Sequence, residues 1–325
     1  KFLKKVSSEL KENFKLNKFF KFFEKHESKI KFLLIIYAIY CSFIIGLSWD
    51  EGFYQEIGKI NLNYLLSFGL LDESYFSKFR YSTLYWSLSS LITQSFPSSV
   101  AVEVFHLVNT IFGLLTIIGL YKVVKKLLNK QVARISSLIL FFTPFFFGHL
   151  AINNKDIILS FSHVWITYYI IKYSFKEYFF NKRFIILFKI ATLCALGTGI
   201  QLLFLGSLLP IIFVFIMYLL LNKIKDYKKF LGDFALFFII FYFILILFWV
   251  DTHENIFTKP LEFFFKSFSE SVGWPFNLVG GKYILSHETP LNYLLINYLY
   301  KLPEFVIFLY FLSIPIIFWN FSELK

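Results

Sequence analysis

Three stretches of this chain carry residue types able to do chemistry. The first, Trp49-Asp50-Glu51-Gly52, sets two adjacent carboxylates directly after an apolar run. An ionised Asp costs about 2.5–3.5 kcal/mol at the centre of a membrane helix, so a carboxylate at such a boundary needs a cavity or a partner. Positioned there, it is a usable general base. The plainer alternative is a hydrated helix end with Trp49 as its interface anchor. The second stretch, His149-Leu150-Ala151-Ile152-Asn153-Asn154-Lys155-Asp156, is a polar turn between two apolar runs. Asn and Asp favour turns and helix N-caps, and Asp156 is placed to cap a helix starting at Ile157. A lone His149 more often packs or hydrogen-bonds than binds a metal. The third, Lys78-Phe79-Arg80-Tyr81, offers two cations suited to phosphate, Arg as a bidentate fork and Lys as a point charge; snorkelling to lipid headgroups is the alternative. Lys282 in Gly280-Gly281-Lys282-Tyr283 is too short a match for a phosphate loop.

The elements that hold these residues are dictated by composition. Of 325 residues, 57% are hydrophobic and 17% charged, with 47 Phe, 20 Tyr and 6 Trp. Soluble domains are about 45–50% apolar and about 25% charged, so the chain has too few polar side chains to cover a globule in water. A membrane-embedded all-α protein is expected. Apolar runs at about 32–49, 100–124, 135–151, 157–173, 184–205, 206–221, 234–250 and 305–319 predict eight spans, the sixth and eighth interrupted by Pro210 and Pro315. Cys41 and Cys194 lie inside such runs and read as small packing residues.

Charge fixes the expected orientation. Most of the 33 Lys and Arg fall in the N-terminal 1–31 segment, between runs two and three, after run four and after run six, which the positive-inside rule assigns to the cytoplasm. The net charge of +12 is then topological and excludes a nucleic-acid face, which would gather basic residues on a soluble surface. Residues 1–31 place Phe2, Leu3, Val6, Leu10 and Phe14 at helical spacing among lysines, as in an interfacial amphipathic helix or a solvated tail. The membrane domain proper is 32–325. On the opposite side lie two long segments, about 50–99 and 251–304. Connections above about 15 residues are usually functional or disordered, and the aromatic content of these two suits the lipid interface.

The Asp50-Glu51 pair after the first span, the stretch from Pro144 to Asp156, and the late motif Glu288-Thr289-Pro290-Leu291-Asn292-Tyr293 followed by Lys301-Leu302-Pro303-Glu304 together resemble the GT-C glycosyltransferases. The likeness is to their protein mannosyltransferase and aminoarabinose transferase branch, over Ile30 to Pro315. It implies a GT-C-like bundle with amphipathic helices in both outer loops. The implied activity takes a sugar from a polyprenyl-phosphate carrier and transfers it, with inversion, to a lipid, glycan or protein on the non-cytoplasmic side. In that frame Asp50, with Glu51 beside it, acts at the acceptor, and Asp156 matches a second acidic position. Lys78, Arg80 and Lys155 would hold the carrier phosphate, while Tyr81, His149, Asn154 and Glu288 would complete the substrate site. No metal ligand set is assigned, and a divalent metal is left open. The implied location is a bacterial inner membrane with the site facing the periplasm, among membrane lipid and lipid-linked donor.

Two rivals come from other classes. A transporter or flippase would need polar or broken helices meeting near the midplane, ideally in an internal repeat. Gln201, after Gly197-Thr198-Gly199, is the candidate for such a site, and no repeat relates the two halves. A non-catalytic scaffold would use the long outer loops to bind a partner.

Overall fold

The computed structural model describes residues 18–70, 81–174, 180–221, 227–269 and 275–319. The amphipathic reading of residues 1–17, and Lys78 and Arg80, lie outside the described residues. In chain order the helices are α1 (Lys18–Ile44), α2 (Glu51–Leu66), α3 (Leu84–Thr93), α4 (Ala101–Leu127), α5 (Lys130–Phe142), α6 (Pro144–His149), α7 (Asp156–Ser174), α8 (Phe180–Ile200), the single turn α9 (Phe204–Ser207), α10 (Leu209–Leu221), α11 (Tyr227–Leu247) and α12 (Lys259–Ser269). A hairpin of β1 (Phe276–Val279) and β2 (Lys282–Leu285) follows, then α13 (Tyr293–Lys301) and α14 (Glu304–Trp319).

The molecule is an all-α membrane bundle whose exterior is itself apolar. Phe213, Ile239 and Phe243 on α10 and α11 are each more than 60% exposed, an arrangement stable in lipid and not in water. Among the described residues, three helices are long and apolar enough to cross a bilayer: Ser98–Leu127, Lys182–Ile200 and Phe230–Leu247. The pair Tyr293–Lys301 and Glu304–Pro315, bent by 117°, makes a fourth if it is one span. The expected count of eight is not confirmed by that criterion.

The run at 135–151 is one instance, because α5 stops at Phe142. Thr143 takes an extended ψ of 114°, and Pro144 opens α6, as a residue before proline is steered out of the helical region. Pro210, by contrast, sits at the second position of α10, where its missing N–H has no intrahelical acceptor to lose. In the second outer segment, α12 and α13 are helical as expected but residues 276–285 are not. Gly280 and Gly281 have φ of 56° and 81°, the two consecutive positive values of a type I′ turn, and Val279 pairs with Lys282 across it. The Gly-Gly-Lys triplet therefore turns a hairpin.

Contacts sort the helix ends into two groups. At the lysine-rich end, Glu27 of α1 pairs with Arg134 of α5. There too Arg183 Nε of α8 lies 3.0 Å from Asp233 Oδ1 of α11, and Tyr173 of α7 donates to Asp233 Oδ2 at 2.6 Å. At the other end α3 is drawn into the bundle, Thr83 N donating to Phe248 O at 2.8 Å. Tyr85 and Trp86 of α3 are 1% and 0% exposed, so this part of the first outer segment is core. Gly58 of α2 makes the approach possible: a Cβ there would stand 2.3 Å from the Trp86 carbonyl oxygen. Tyr54, Tyr85, Trp86, Phe105, Ile158 and Ile200 form the apolar floor of this end. A second core packs α7, α8 and α11 around Ala191, Cys194 and Trp249.

Candidate active site

The chain unwinds after Ile44 and re-enters a helix at Glu51, which leaves orphan carbonyls at the end of α1 and orphan amides at the start of α2. Two side chains bind backbone groups of this stretch. Glu51 Oε2 accepts from Ser48 N at 2.6 Å, and His106 Nδ1 lies 3.2 Å from Ser42 O. A carbonyl only accepts, so Nδ1 carries a hydrogen. The other ring nitrogen, Nε2, stands 2.9 Å from Glu51 Oε1 and 3.0 Å from Oε2. His106 therefore bridges the end of α1 and the Glu51 carboxylate. Both residues are fully buried, where an ion pair is tolerated only with its remaining hydrogen bonds satisfied.

One turn further along α4, Asn109 is the second strut. Its Oδ1 accepts from Tyr85 OH at 2.9 Å, and its Nδ2 donates to Leu150 O at 3.2 Å and Asn153 O at 3.1 Å. The polar turn is thereby tied to α3 and α4. Asn153, not Asp156, caps α7: its Oδ1 accepts from Asp156 N at 2.8 Å and Lys155 N at 3.2 Å, because the helix begins at Asp156 itself. Asn153 Nδ2 donates to Asp156 Oδ2 at 2.9 Å and to His149 Nδ1 at 3.0 Å. His149 thus hydrogen-bonds within the turn, with its ring 4.6 Å from that of Phe145. Asn154 is buried, its Oδ1 accepting from Trp86 Nε1 at 3.1 Å.

These struts leave three charged groups facing outward. Asp50 is exposed and, among the described residues, its carboxylate makes no hydrogen bond or ion pair. Asp156 is exposed at the first turn of α7. Lys155 extends its ammonium over the ring of Tyr54 at 4.6 Å and of Tyr81 at 5.6 Å, with no ion pair among the described residues. Such cation–π contacts contribute about 0.5–2 kcal/mol and leave the charge available to an anion. Tyr54 stacks on Trp86 at 4.6 Å, and its hydroxyl is pushed up to about 12, first by burial and then by the negative charge of Asp50. Tyr54 accordingly feels Asp50 while lying under Lys155. The expected residues Asp50, Glu51, Tyr81, His149, Asn154, Lys155 and Asp156 all belong to this one end.

Glu288 stands apart, exposed, with His287 Nε2 3.8 Å away. The second outer segment still reaches this end, since Lys301 lies over the Phe145 ring at 5.8 Å. Asp251, in the turn Val250–Thr252 after α11, is pushed up to about 7 by burial and by the charge of Glu254. Gln201 lines a separate cavity of about 580 Å³ with Ser160, His163 and Ser207. Among the described residues no three His, Cys, Asp or Glu side chains gather as a metal site. Sequence reasoning passed over His106, Asn109, Tyr54 and Trp86. The signal for the first two was a polar stripe inside an apolar run: His106, Asn109 and Thr110, spaced for one helix face, are all 0% exposed.

Comparison with known proteins agrees with this architecture. No curated protein and no solved structure matches the chain. The profile of the dolichyl-phosphate-mannose-protein mannosyltransferase family matches residues 87–249, which contain His106, Asn109 and the whole turn from His149 to Asp156. That stretch is half of the sequence, and the chain belongs to this family of membrane glycosyltransferases, which use a sugar donor carried on a polyprenyl phosphate.

Proposed function

We propose that the Asp50 end of the bundle is the reaction centre of an inverting mannosyltransferase, with Asp50 as general base and Lys155 as a cation for the carrier phosphate. The observation that carries this reading is the grouping around Tyr54: an unengaged carboxylate on one side, and an ammonium without a carboxylate partner over its ring. A polyprenyl-phosphate sugar keeps its lipid in the bilayer while its anomeric carbon sits at the interface. The reacting groups belong at helix ends, which is where Asp50 and Lys155 are.

In the proposed reaction Asp50 takes the proton of an acceptor hydroxyl as that oxygen attacks the anomeric carbon. The bond from that carbon to the phosphate oxygen breaks on the opposite face, so configuration inverts. The negative charge left on the phosphate is met by Lys155, with Lys78 and Arg80 as further cations from the segment before Tyr81. A positioned base contributes about 10²- to 10⁴-fold in rate, and a cation at the developing charge adds to it. Glu51, fully buried against His106, serves as a positioning residue that fixes the turn bearing Asp50. Asp156 is assigned to the sugar or acceptor hydroxyls beside Lys155. No step requires a metal. The side carrying this end is the non-cytoplasmic one by the distribution of lysines, and a bacterial inner membrane with a periplasmic site is the corresponding location.

Proteoliposomes supplied with polyprenyl-phosphate mannose and a panel of hydroxyl acceptors test the proposal. Transfer that is abolished in Asp50→Asn, with the protein still folded, is expected. Full transfer by that variant removes the proposed base.

A further inference from the structure

The lysine-rich end, away from Asp50, contains a cavity of about 580 Å³ between α1, α4 and α5. That volume lies within the range of about 300–1,000 Å³ typical of small-molecule sites. Its walls are aliphatic and aromatic, formed by Leu34, Ile117, Ile118, Leu138 and Phe141. The Ser137 hydroxyl in the wall is spent on Ala133 O of its own helix at 2.8 Å. The rim is charged, with Lys31, Lys122 and Arg134 against the single carboxylate of Glu27. Glu27 takes Lys31 at 2.6 Å and also Arg134, so the one carboxylate of the lining is shared by two cations. Lys122 is a further cation of the lining. Its ammonium lies over the rings of Trp165 at 4.8 Å and Tyr168 at 5.8 Å on the neighbouring α7, contacts that do not neutralise its charge.

A deep apolar interior with a cationic mouth at headgroup depth is complementary to one kind of molecule, an amphiphile with aliphatic tails and an anionic head. Ile35, Ile118 and Ile135 are each at least a third exposed along the same opening, so the cavity is open sideways, toward the bilayer. We infer that this cavity is a binding site for an anionic phospholipid of the leaflet on the lysine-rich side, its phosphate between Lys31 and Lys122 and an acyl chain against Ile118 and Leu138. The site is independent of the reaction centre, because its residues belong to the opposite helix ends.

The test is lipid retention by the full chain, purified in detergent from vesicles of phosphatidylglycerol and phosphatidylcholine in equal amounts and read by native mass spectrometry. One phosphatidylglycerol is expected to be retained in preference. Lys31→Gln and Lys122→Gln are each expected to lower that preference about fivefold, Lys122→Arg to keep it, and Ile118→Trp or Leu138→Trp to remove the bound lipid. The Arg variant and an unchanged unfolding midpoint separate loss of charge from loss of fold. Equal retention of the two lipids, or retention indifferent to both the lysine and the tryptophan variants, overturns the inference. So does displacement of phosphatidylglycerol by millimolar inorganic phosphate, or by equimolar polyprenyl phosphate, since either would name a different occupant.

Discussion

Removing His106 is the sharpest structural perturbation. The His106→Leu variant keeps the volume roughly filled and takes away both hydrogen-bonding nitrogens. Two losses follow from the geometry. Glu51 is left fully buried with Ser48 N–H as its remaining hydrogen bond, and breaking one side of a buried pair costs about 3–5 kcal/mol. Ser42 O also loses its partner, and an orphaned buried acceptor costs about 1–3 kcal/mol. Relaxation of the unwound stretch between α1 and α2 lets water reach part of this, so the lower end, about 3–5 kcal/mol in all, is expected. At roughly 2–4 °C per kcal/mol for a chain of this order, the unfolding midpoint in micelles falls by roughly 6–20 °C. The double variant Glu51→Leu/His106→Leu removes the stranded charge and is expected to recover more than half of the loss, the coupling being read from a full double-mutant cycle. A His106→Leu midpoint within about 2 °C of wild type, or a double variant that sums the two single losses, refutes the coupling of His106 to Glu51.

Other predictions follow from single contacts. Lys155→Gln removes a cation whose charge-assisted contact is worth about 1.5–3 kcal/mol; donor KM is expected to rise about 10- to 100-fold with kcat changed less, as measured by donor titration in proteoliposomes. Gly58→Ala puts a Cβ 2.3 Å from the Trp86 carbonyl and is expected to cost about 1–3 kcal/mol by forcing α2 from α3, whereas Gly52→Ala, with its nearest neighbour at 3.8 Å, leaves the midpoint unchanged. Asp251 is held up to about 7 by burial and by Glu254, against an ordinary value of about 3.9. The folded state thus binds its proton more tightly than the unfolded one, and its contribution to stability is present below about pH 4 and lost as pH rises toward 7. Asp251→Asn is expected to flatten midpoint-against-pH over that window; an unaltered slope excludes the assignment.

Much of this architecture was legible as chemistry before it was visible as structure. Lysine distribution and apolar runs were enough to bring Asp50, Tyr81 and the turn from His149 to Asp156 to one end, since alternation of spans leaves them no other place. What stayed hidden was specified by contacts between segments distant in sequence. Nothing local marks His106 as the partner of Glu51, 55 residues away, and a lone histidine in an apolar helix has many ordinary uses. The capping role went to Asn153 because its side chain reaches two amides at once, a choice that depends on where the helix starts. Trp86 and Tyr85 read as interfacial aromatics from their polar-flanked segment, yet α3 is buried because Gly58 lets α2 pack directly on it. Pro144 was a local signal, present in the sequence, whose effect on the third apolar run shows in the break at Thr143.

The central claim is that Asp50 supplies the base and Lys155 the phosphate contact at one site. Single-turnover transfer from polyprenyl-phosphate mannose, measured alongside donor affinity in Asp50→Asn, separates the two roles most directly. The account predicts donor binding within about twofold of wild type and a chemical step slowed about 10²- to 10⁴-fold. Unchanged single-turnover chemistry in that variant, or loss of donor binding in place of loss of chemistry, would contradict it.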